Sequence, residues 1–308
     1  MQSPSLTVPA DTSRDSAPAA AVAAVPTGDG GVAAKPSVPR KPSRVLPFLG
    51  NALVQLFAAA VGFGLLFALW HFVSVKNTDL PGPLKTLPVL AEMLRKPFYD
   101  NGPNDKGIGI QVMLSLQRVF HGFGVGSLIA IPVGLLMGAS KPVMRILNPV
   151  VQVLRPVSPL AWYPIGLTIL RDSPKAVIFA IVITSLWPTL INTMVAVSGL
   201  PDDFRNVARV FRFSPFQYIT KVVLPFALPQ ILTGLRLSMG IAWVVIVAGE
   251  MLAGGTGIGY FVWDSYNGGS MEKVISGILV IGVIGLVLDR ILEGITGQVR
   301  RSAGLADA

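Results

Sequence analysis

The segment NVARVFRFSPFQYITKVVLPFALPQILTGLR, from Asn206 to Arg236, lies between two long apolar stretches of the chain. Apolar side chains around its start recur at positions i, i+3, i+4 and i+7, and they are Phe204, Val207, Ala208 and Phe211. Because residues at this spacing share one face of a helix, the pattern predicts a short amphipathic helix.

A second helix is expected in the same segment. Ser214 followed by Pro215 is typical of an N-cap and a first helical residue. We expect Leu224-Pro225 to end this helix and to start the next apolar stretch. The two helices form a predicted hairpin over residues 201–225, which suits docking to a partner protein on one side of a bilayer. The alternative is an amphipathic loop that rests on the membrane surface.

The composition places the chain in a membrane. Hydrophobic residues make up 52% of the sequence, charged residues only 13%, and the mean hydropathy is +0.62. An average soluble domain carries about 25% charged residues. Several stretches reach the roughly 20 residues that cross a hydrocarbon core. They are residues 45–75, 119–140, 148–170, 176–201, 226–250 and 274–295.

Helices are the expected structure of all six stretches. The sequence contains no alternating β pattern, and backbone polar groups in lipid must be hydrogen-bonded within the protein. We therefore predict an all-α polytopic membrane protein with six transmembrane helices over residues 45–300. A short C-terminal tail, residues 301–308, follows.

Lysine and arginine near the ends of the stretches predict the orientation of the chain. They cluster before the first stretch, after the second, in the hairpin and after the last, at Lys35, Arg40, Lys41, Arg44, Lys141, Arg145, Arg205, Arg209, Arg212, Lys221, Arg300 and Arg301. Both termini and the hairpin are therefore expected in the cytoplasm. Residues 1–44 are rich in Ala, Pro and Ser and contain no aromatic residue, so we expect a disordered cytoplasmic tail.

Three phrases of the sequence resemble one family of membrane proteins. The hairpin reads Asn206-Val207-Ala208, then Arg212, then Val223-Leu224-Pro225, while LRPVSPLAWYPIGL begins at Leu154 and EMLAGGTGIGYFVWDSYN at Glu250. These phrases resemble the inner-membrane permeases of binding-protein-dependent ABC importers, whose cytoplasmic loop carries Glu-Ala-Ala, a later Gly and a final Leu-Pro. Asn and Arg in place of Glu and Gly match the variant of the nitrate/nitrite branch. The resemblance covers residues 45–300.

The resemblance implies a type I ABC importer permease fold in the inner membrane of a bacterium. It also implies three protein partners: cytoplasmic ABC ATPase subunits, an extracytoplasmic anion-binding protein, and a second, identical permease chain. The first hairpin helix would insert into a groove of the ATPase, with aromatic side chains as anchors. The expected coupling residues are Phe204, Val207, Ala208, Arg209, Phe211, Arg212 and Phe216.

Polar and charged side chains inside the apolar stretches mark a candidate translocation pathway, because a charge in hydrocarbon costs roughly 2.5 to 3.5 kcal/mol. Arg155 is followed by Pro156 and Pro159, so we expect the helix to break there and to line a cavity. The candidate pathway residues are Arg155, Ser158, Trp162, Asn192 and Arg236.

A structural role is the alternative for both arginines of this set. Arg155 would then be a counter-ion that braces helices. For Arg236 the structural role is preferred, with Glu250 or a backbone carbonyl as its expected partner. Near the end of the last stretch, ion pairs at i, i+3 and i, i+4 spacing are expected among Asp289, Arg290 and Glu293.

Side chains suited to enzyme chemistry are few. The sequence has no phosphate-binding loop with its Lys and Ser or Thr, so ATP hydrolysis is expected in a separate subunit. His71 and His121 lie in apolar runs and are expected to pack rather than to bind metal. The glycines between Gly254 and Gly259 predict an extracytoplasmic turn rather than a phosphate cradle. We expect no catalytic residue, cofactor, metal site or bound nucleic acid, although the net charge is +9.

The expected function is that of a permease subunit in an ATP-driven importer for a small inorganic anion. We expect nitrate or nitrite to pass by alternating access, and alkanesulfonate, taurine, cyanate or bicarbonate is the alternative cargo. Two other classes stay open. A secondary transporter or channel would show an inverted repeat and no docking hairpin. A membrane enzyme would need convergent acid, base or metal-binding groups.

Overall fold

The computed structural model of the protein describes residues 45–77, 79–102 and 105–302. The predicted disordered tail, residues 1–44, lies outside the described residues, as do residues 303–308 of the C-terminal tail. The chain divides into two units, Met1–Phe57 and Ala58–Ala308. The part of the first unit that the structure describes is helical.

Helices make up the described part of the chain, as predicted. In chain order they are α1 (Val45–Lys76), α2 (Pro83–Arg95), α3 (Ile108–Ala139), α4 (Lys141–Leu154), α5 (Trp162–Leu170), α6 (Ser173–Ser198), α7 (Asp202–Val210), α8 (Pro215–Tyr218), α9 (Leu224–Ala253), α10 (Ile258–Asn267) and α11 (Met271–Ser302). Five of them, α1, α3, α6, α9 and α11, are long and apolar enough to cross a membrane. The described ranges contain no strand, only an isolated bridge between Asp100 and Lys106.

The third predicted membrane stretch, residues 148–170, is not one continuous helix. It is divided between α4 and α5, and neither half has the length of a membrane span. Proline explains the interruption, because Pro156 and Pro159 have no N–H to continue the helical hydrogen bonds. The break that the sequence predicts at Arg155 is thus confirmed, and the number of continuous spans falls from six to five.

Small residues bring α3 and α6 into close contact. A Cβ atom placed on Gly134 would lie 2.7 Å from the Thr193 Cβ atom and 2.8 Å from the Leu190 carbonyl oxygen. Membrane helices associate through such contacts because lipid provides no hydrophobic driving force between them. The glycines of α3 that face α6 are Gly122, Gly126, Gly134 and Gly138.

The same contacts fix the directions of the helices. Successive glycines of α3 meet successive residues of α6 in the same order, so these two helices are parallel. α9 returns beside α6, where the Thr189 and Ser238 hydroxyl oxygens lie 2.8 Å apart. α11 returns beside α9, and Trp243 Nε1 donates to the Ile281 carbonyl oxygen at 3.1 Å. Consequently α3, α6 and α11 end where α9 begins, which we call the hairpin end; the other end is the opposite end.

The main core lies between α6 and α9 near the opposite end. Val177, Ile181, Ala242 and Ile246 are buried there. α6 begins at that end with a capped turn. The Asp172 carboxylate accepts a hydrogen bond from the Lys175 backbone N–H at 2.9 Å. This hydrogen bond lowers the pKa of Asp172 below its ordinary value. The packing of α3, α6 and α9 against one another thus supports the cavity and the hairpin described below.

Substituting valine for glycine at the α3–α6 contact is expected to separate the two helices. Gly134→Val should destabilise the fold by about 1–3 kcal/mol, the usual cost of overpacking, because backbone atoms of α6 must move. Gly124→Val is the matched control on the same helix, since a Cβ atom there would meet nothing within 4 Å. The melting temperatures of both variants in detergent check this, and an equal loss in both would contradict the described contact.

Candidate functional site

The hairpin between α6 and α9 forms as two short helices. α7 and α8 occupy the predicted positions, and Ser214 caps α8 as predicted. The Gln217 backbone N–H donates to Ser214 Oγ at 3.3 Å, and Ser214 N–H donates to Gln217 Oε1 at 3.0 Å. This reciprocal capping box fixes the direction in which the second helix leaves the turn.

Leu224-Pro225 does not separate the second hairpin helix from the next span, as the sequence suggested. α8 continues through a wider, π-helical turn over Ile219–Val223 directly into α9. A π-helical turn shifts the hydrogen-bond pattern by one residue, and proline is tolerated in the first turn of a helix because that N–H has no helical partner. The hairpin is therefore joined rigidly to a membrane span on one side.

The hairpin presents an exposed apolar surface, which we call the docking face: Phe204, Val207, Val210, Phe211 and Phe216. Phe211 is 69% exposed. Ala208, which the sequence places on the same stripe, is only 6% exposed and is covered within the chain. Val210, which sequence reasoning omitted, is exposed instead. An apolar surface of this kind at one end of a protein is typical of a site that another protein covers.

Arginines line the other side of the hairpin. Arg205, Arg209 and Arg212 border a concave surface together with Tyr218. Arg212 adopts a left-handed backbone conformation with φ of 50°. Left-handed backbone costs roughly 1–2 kcal/mol for a residue with a Cβ atom. Arg212 thus keeps the conformation that glycine, its counterpart in the family pattern, would adopt without strain.

A cavity of about 370 Å³ opens beside the break between α4 and α5, level with the middle of the spans α6 and α9, and we call it the membrane-depth cavity. Arg155 and Asn192, two of the predicted pathway residues, line it together with Thr184 and Trp187. The Arg155 guanidinium makes no hydrogen bond or ion pair within the described ranges, and Arg155 also borders a neighbouring cavity of about 540 Å³. An unpaired guanidinium at this depth must face water, an anion or another protein chain.

The other predicted pathway residues are placed differently. Ser158 and Trp162 belong to the broken segment but do not line the cavity. Asn192 reaches it with its amide already engaged, since Asn192 Oδ1 accepts from Gln230 Nε2 at 2.7 Å and Asn192 Nδ2 donates to the Pro188 carbonyl at 2.8 Å. Gln230 is a polar neighbour that sequence reasoning missed.

Arg236 belongs to an ion pair rather than to the cavity. Its Nε and Nη2 atoms donate to the two Asp289 carboxylate oxygens at 2.6 and 2.7 Å, and Glu293 lies 3.5 Å away. The prediction that Glu250 or a backbone carbonyl is the partner of Arg236 was wrong, because antiparallel α9 and α11 place Arg236 level with Asp289. The predicted pair of Arg290 with Glu293 is confirmed at 3.1 Å.

Glu250 is 1% exposed and joins three helices at the opposite end. Arg118 Nη1 on α3 donates to Glu250 Oε1 at 2.6 Å, and Ser115 Oγ donates to the same carboxylate at 2.8 Å. The Gly259 backbone N–H at the start of α10 donates to Glu250 Oε2 at 3.0 Å. Arg118 also holds the glycine-rich turn through the Thr256 carbonyl oxygen at 2.6 Å.

This buried network was missed by sequence reasoning, although a signal was present. Gln111, Ser115 and Arg118 follow one another at i, i+4 and i+7, which is a polar stripe within an apolar helix. The predicted turn after α9 is confirmed, since Gly254, Gly255 and other glycines there have positive φ. Its backbone N–H groups bond to protein side chains, which argues against a phosphate cradle.

Removing the buried carboxylate is expected to destabilise the bundle. Glu250→Gln should cost about 3–5 kcal/mol, because Arg118 would keep a buried, uncompensated charge. Arg118→Met combined with Glu250→Gln should cost less than the sum of the single changes. Thermal unfolding of the wild type, the two single variants and the double variant measures this coupling, and Glu92→Gln, at an exposed position of α2, is the control. Additive losses would show that the two side chains do not interact.

Comparison with known proteins identifies the family. Residues 130–301, which contain the broken segment, the hairpin, α9 and most of α11, match the family described as the binding-protein-dependent transport system inner membrane component. The chain belongs to this family of inner-membrane permeases. It is a transport subunit, and ATP hydrolysis resides in a separate subunit.

Relatives of the permease extend the match to most of its length. The nitrate import permease protein of Synechocystis is 41% identical over 255 residues, which are 82% of this chain and 92% of that protein. The bicarbonate transport system permease protein of Synechococcus elongatus is 42% identical over 255 residues, or 82% of this chain and 91% of that protein. Two different anions are thus named among relatives of almost equal similarity.

Solved structures confirm the type I importer fold of the permease. An inward-facing structure of the MetNI methionine ABC transporter matches with a TM-score of 0.57 at 17% sequence identity, covering 62% of this chain and 95% of the matched chain. At this identity the likeness concerns the fold alone. It agrees with the arrangement of spans and hairpin described above.

Proposed function

We propose that the protein is the membrane-spanning permease of an ATP-driven importer for a small inorganic anion, with nitrate or nitrite as its cargo. The observation that carries the proposal is the unpaired Arg155 at a helix break, lining a membrane-depth cavity. A planar guanidinium can donate two parallel hydrogen bonds to a planar anion. The nitrate permeases among the relatives support the choice of cargo.

The lining of the cavity favours nitrate over bicarbonate, the second candidate cargo. Beside Arg155, apolar side chains predominate, including Trp187, Ile191, Leu237 and Ile241. Transfer of an anion into such surroundings costs less when the anion is weakly hydrated. Nitrate is less strongly hydrated than bicarbonate and carries no proton that needs an acceptor. Bicarbonate permeases are also among the relatives, so bicarbonate is the alternative cargo that the experiment must test.

The membrane-depth polar surface supports a pair of permease chains. Gln152 and Arg155 are exposed beside Asn148, and Gln230 is exposed beside Asn192. Lipid would leave such groups without hydrogen-bonding partners. A second, identical chain facing this surface would enclose a shared polar pathway, through which the anion passes by alternating access. Arg155 and Asn192 are then the main residues of the pathway, whereas Arg236 braces α9 against α11.

The hairpin end faces the cytoplasm in this proposal. Lys141 and Arg145 at the start of α4, with Arg205 and Arg209 in α7, place an excess of positive charge there. The ATPase then binds the docking face, both termini lie in the cytoplasm, and the anion-binding protein meets the opposite end. The coupling residues are those of the docking face together with Arg209 and Arg212.

Anion-stimulated ATP hydrolysis tests the proposed cargo. The permease, its ATPase and its binding protein, reconstituted together in liposomes, should hydrolyse ATP faster with nitrate or nitrite than with bicarbonate, cyanate, taurine or an alkanesulfonate. A complex without binding protein is the control for basal hydrolysis. Stimulation by bicarbonate but not by nitrate would replace the proposed cargo, while leaving the permease assignment in place.

A further inference from the structure

A second polar cavity, separate from the one beside Arg155, lies at the hairpin end of the bundle. It has a volume of about 460 Å³, is open on one side, and lies where α3 and α6 end and where α4 and α7 begin. We call it the junction cavity, and its polar lining consists of Lys141, Arg145, Ser198, Asp202 and Arg205. Arg145 and Arg155 are about 15 Å apart along the direction of α4, so the junction cavity is distinct from the proposed anion pathway.

Positive charge exceeds negative charge around the junction cavity. Lys141 and Arg145 are one helical turn apart on α4, and within the described residues neither forms an ion pair or a side-chain hydrogen bond. Arg205 lies 3.7 Å from Asp202, at the long limit of an ion pair. Three cations therefore surround the cavity against one carboxylate. The start of α4 adds the positive end of a helix dipole.

The position of the junction cavity is that of a membrane boundary. Its walls include the last residues of two membrane-spanning helices, Met137 to Ala139 on α3 and Ser198 on α6. Next to Arg145, α4 exposes an apolar stripe at i, i+4 and i+7, formed by Ile146, Val150 and Val153. Acyl chains can lie along such a stripe while a headgroup reaches the basic residues beside it.

We propose that the junction cavity binds a phosphate group, as carried by the headgroup of an anionic phospholipid or by free phosphate. Guanidinium and ammonium groups bind phosphate oxygens through charge-assisted hydrogen bonds. The bound group connects Lys141 and Arg145 of the membrane bundle to Arg205 of the hairpin. It thereby holds the hairpin against the bundle, whichever anion the permease transports.

Hydrogen exchange of the hairpin tests this proposal. The full permease is placed in nanodiscs of phosphatidylcholine alone or of phosphatidylcholine mixed with phosphatidylglycerol. Phosphatidylglycerol should slow amide exchange over residues 202–213 severalfold and raise the melting temperature. Lys141→Ser combined with Arg145→Gln should abolish both effects. Lys221→Gln, at an exposed cation outside the cavity, should retain them, and Arg145→Lys should retain them in part.

A second arm identifies the source of the phosphate group. Inorganic phosphate is titrated into the permease in phosphatidylcholine nanodiscs, with sodium chloride and sodium nitrate at equal ionic strength. Protection by inorganic phosphate alone assigns free phosphate, and protection by phosphatidylglycerol alone assigns lipid. Protection by neither, equal protection in the double variant, or equal protection by chloride or nitrate would overturn the proposal. If the double variant is not recovered folded, Arg145→Gln alone decides by the same criteria.

Discussion

Phe211→Asp is expected to release the ATPase while leaving the permease inserted in the membrane. Phe211 is 69% exposed in the docking face, so its ring is accessible to a groove of a partner protein. A carboxylate there would be desolvated without a partner. Loss of an aromatic anchor costs about 2 kcal/mol or more at a protein interface, or about thirty-fold in affinity.

The matched control is Phe98→Asp, which makes the same change at an exposed phenylalanine outside the hairpin, in the connection between α2 and α3. Co-purification of the ATPase with each variant, compared at equal permease yield, measures the effect. ATPase recovery should fall only for Phe211→Asp. Recovery at the wild-type level with that variant would contradict the assignment of the docking face.

Arg155→Gln is expected to lower nitrate uptake per assembled complex by tenfold or more, on the order of 1.4 kcal/mol in the transport barrier. The reason is that the Arg155 guanidinium has no partner within the described ranges and lines the membrane-depth cavity, so its charge remains available to a passing anion. Arg155→Lys should keep part of the uptake, because the charge survives while the two-pronged guanidinium geometry is lost.

Two further variants separate transport from stability. Arg171→Gln changes an exposed arginine just after α5, outside the cavity, and should leave uptake unchanged. Arg236→Gln breaks the ion pair with Asp289 and should lower assembled complex and uptake in parallel. Unchanged uptake per complex in Arg155→Gln would remove this residue from the pathway, and a parallel loss of complex would make it a structural brace.

The helices of the fold were predictable because their signals are local. Apolar runs of spanning length predict the long helices, Pro156 and Pro159 predict the break, and Ser214 before Pro215 predicts the start of the second hairpin helix. The continuous passage from α8 into α9 was not predictable from the Leu-Pro pair. A proline is found both near the start of a helix and just after its end, so the Leu-Pro pair alone does not decide between the two. The π-helical turn over Ile219–Val223 shows that the helix continues.

The side-chain partners were less predictable because they depend on which helices become neighbours. Glu250 and Arg118 are separated by 132 positions in the sequence, and α3 had to be placed beside α9 before they could be paired. The pairing of Arg236 with Asp289 was not predictable for the same reason. By contrast, Arg155 was recognisable as a pathway candidate because its charge and the adjacent prolines lie within a few residues. Ser158 and Trp162 share that segment but do not line the cavity.

Uptake of isotope-labelled nitrate into proteoliposomes that contain the permease and its ATPase tests whether the chain belongs to an ATP-driven nitrate importer. The vesicles are oriented with the hairpin end inside, and the binding protein is supplied outside. Nitrate should accumulate only with internal ATP and external binding protein, and an excess of bicarbonate should leave this accumulation largely unchanged. Nitrate accumulation without ATP or binding protein, or ATP-driven accumulation of bicarbonate in place of nitrate, would contradict this assignment.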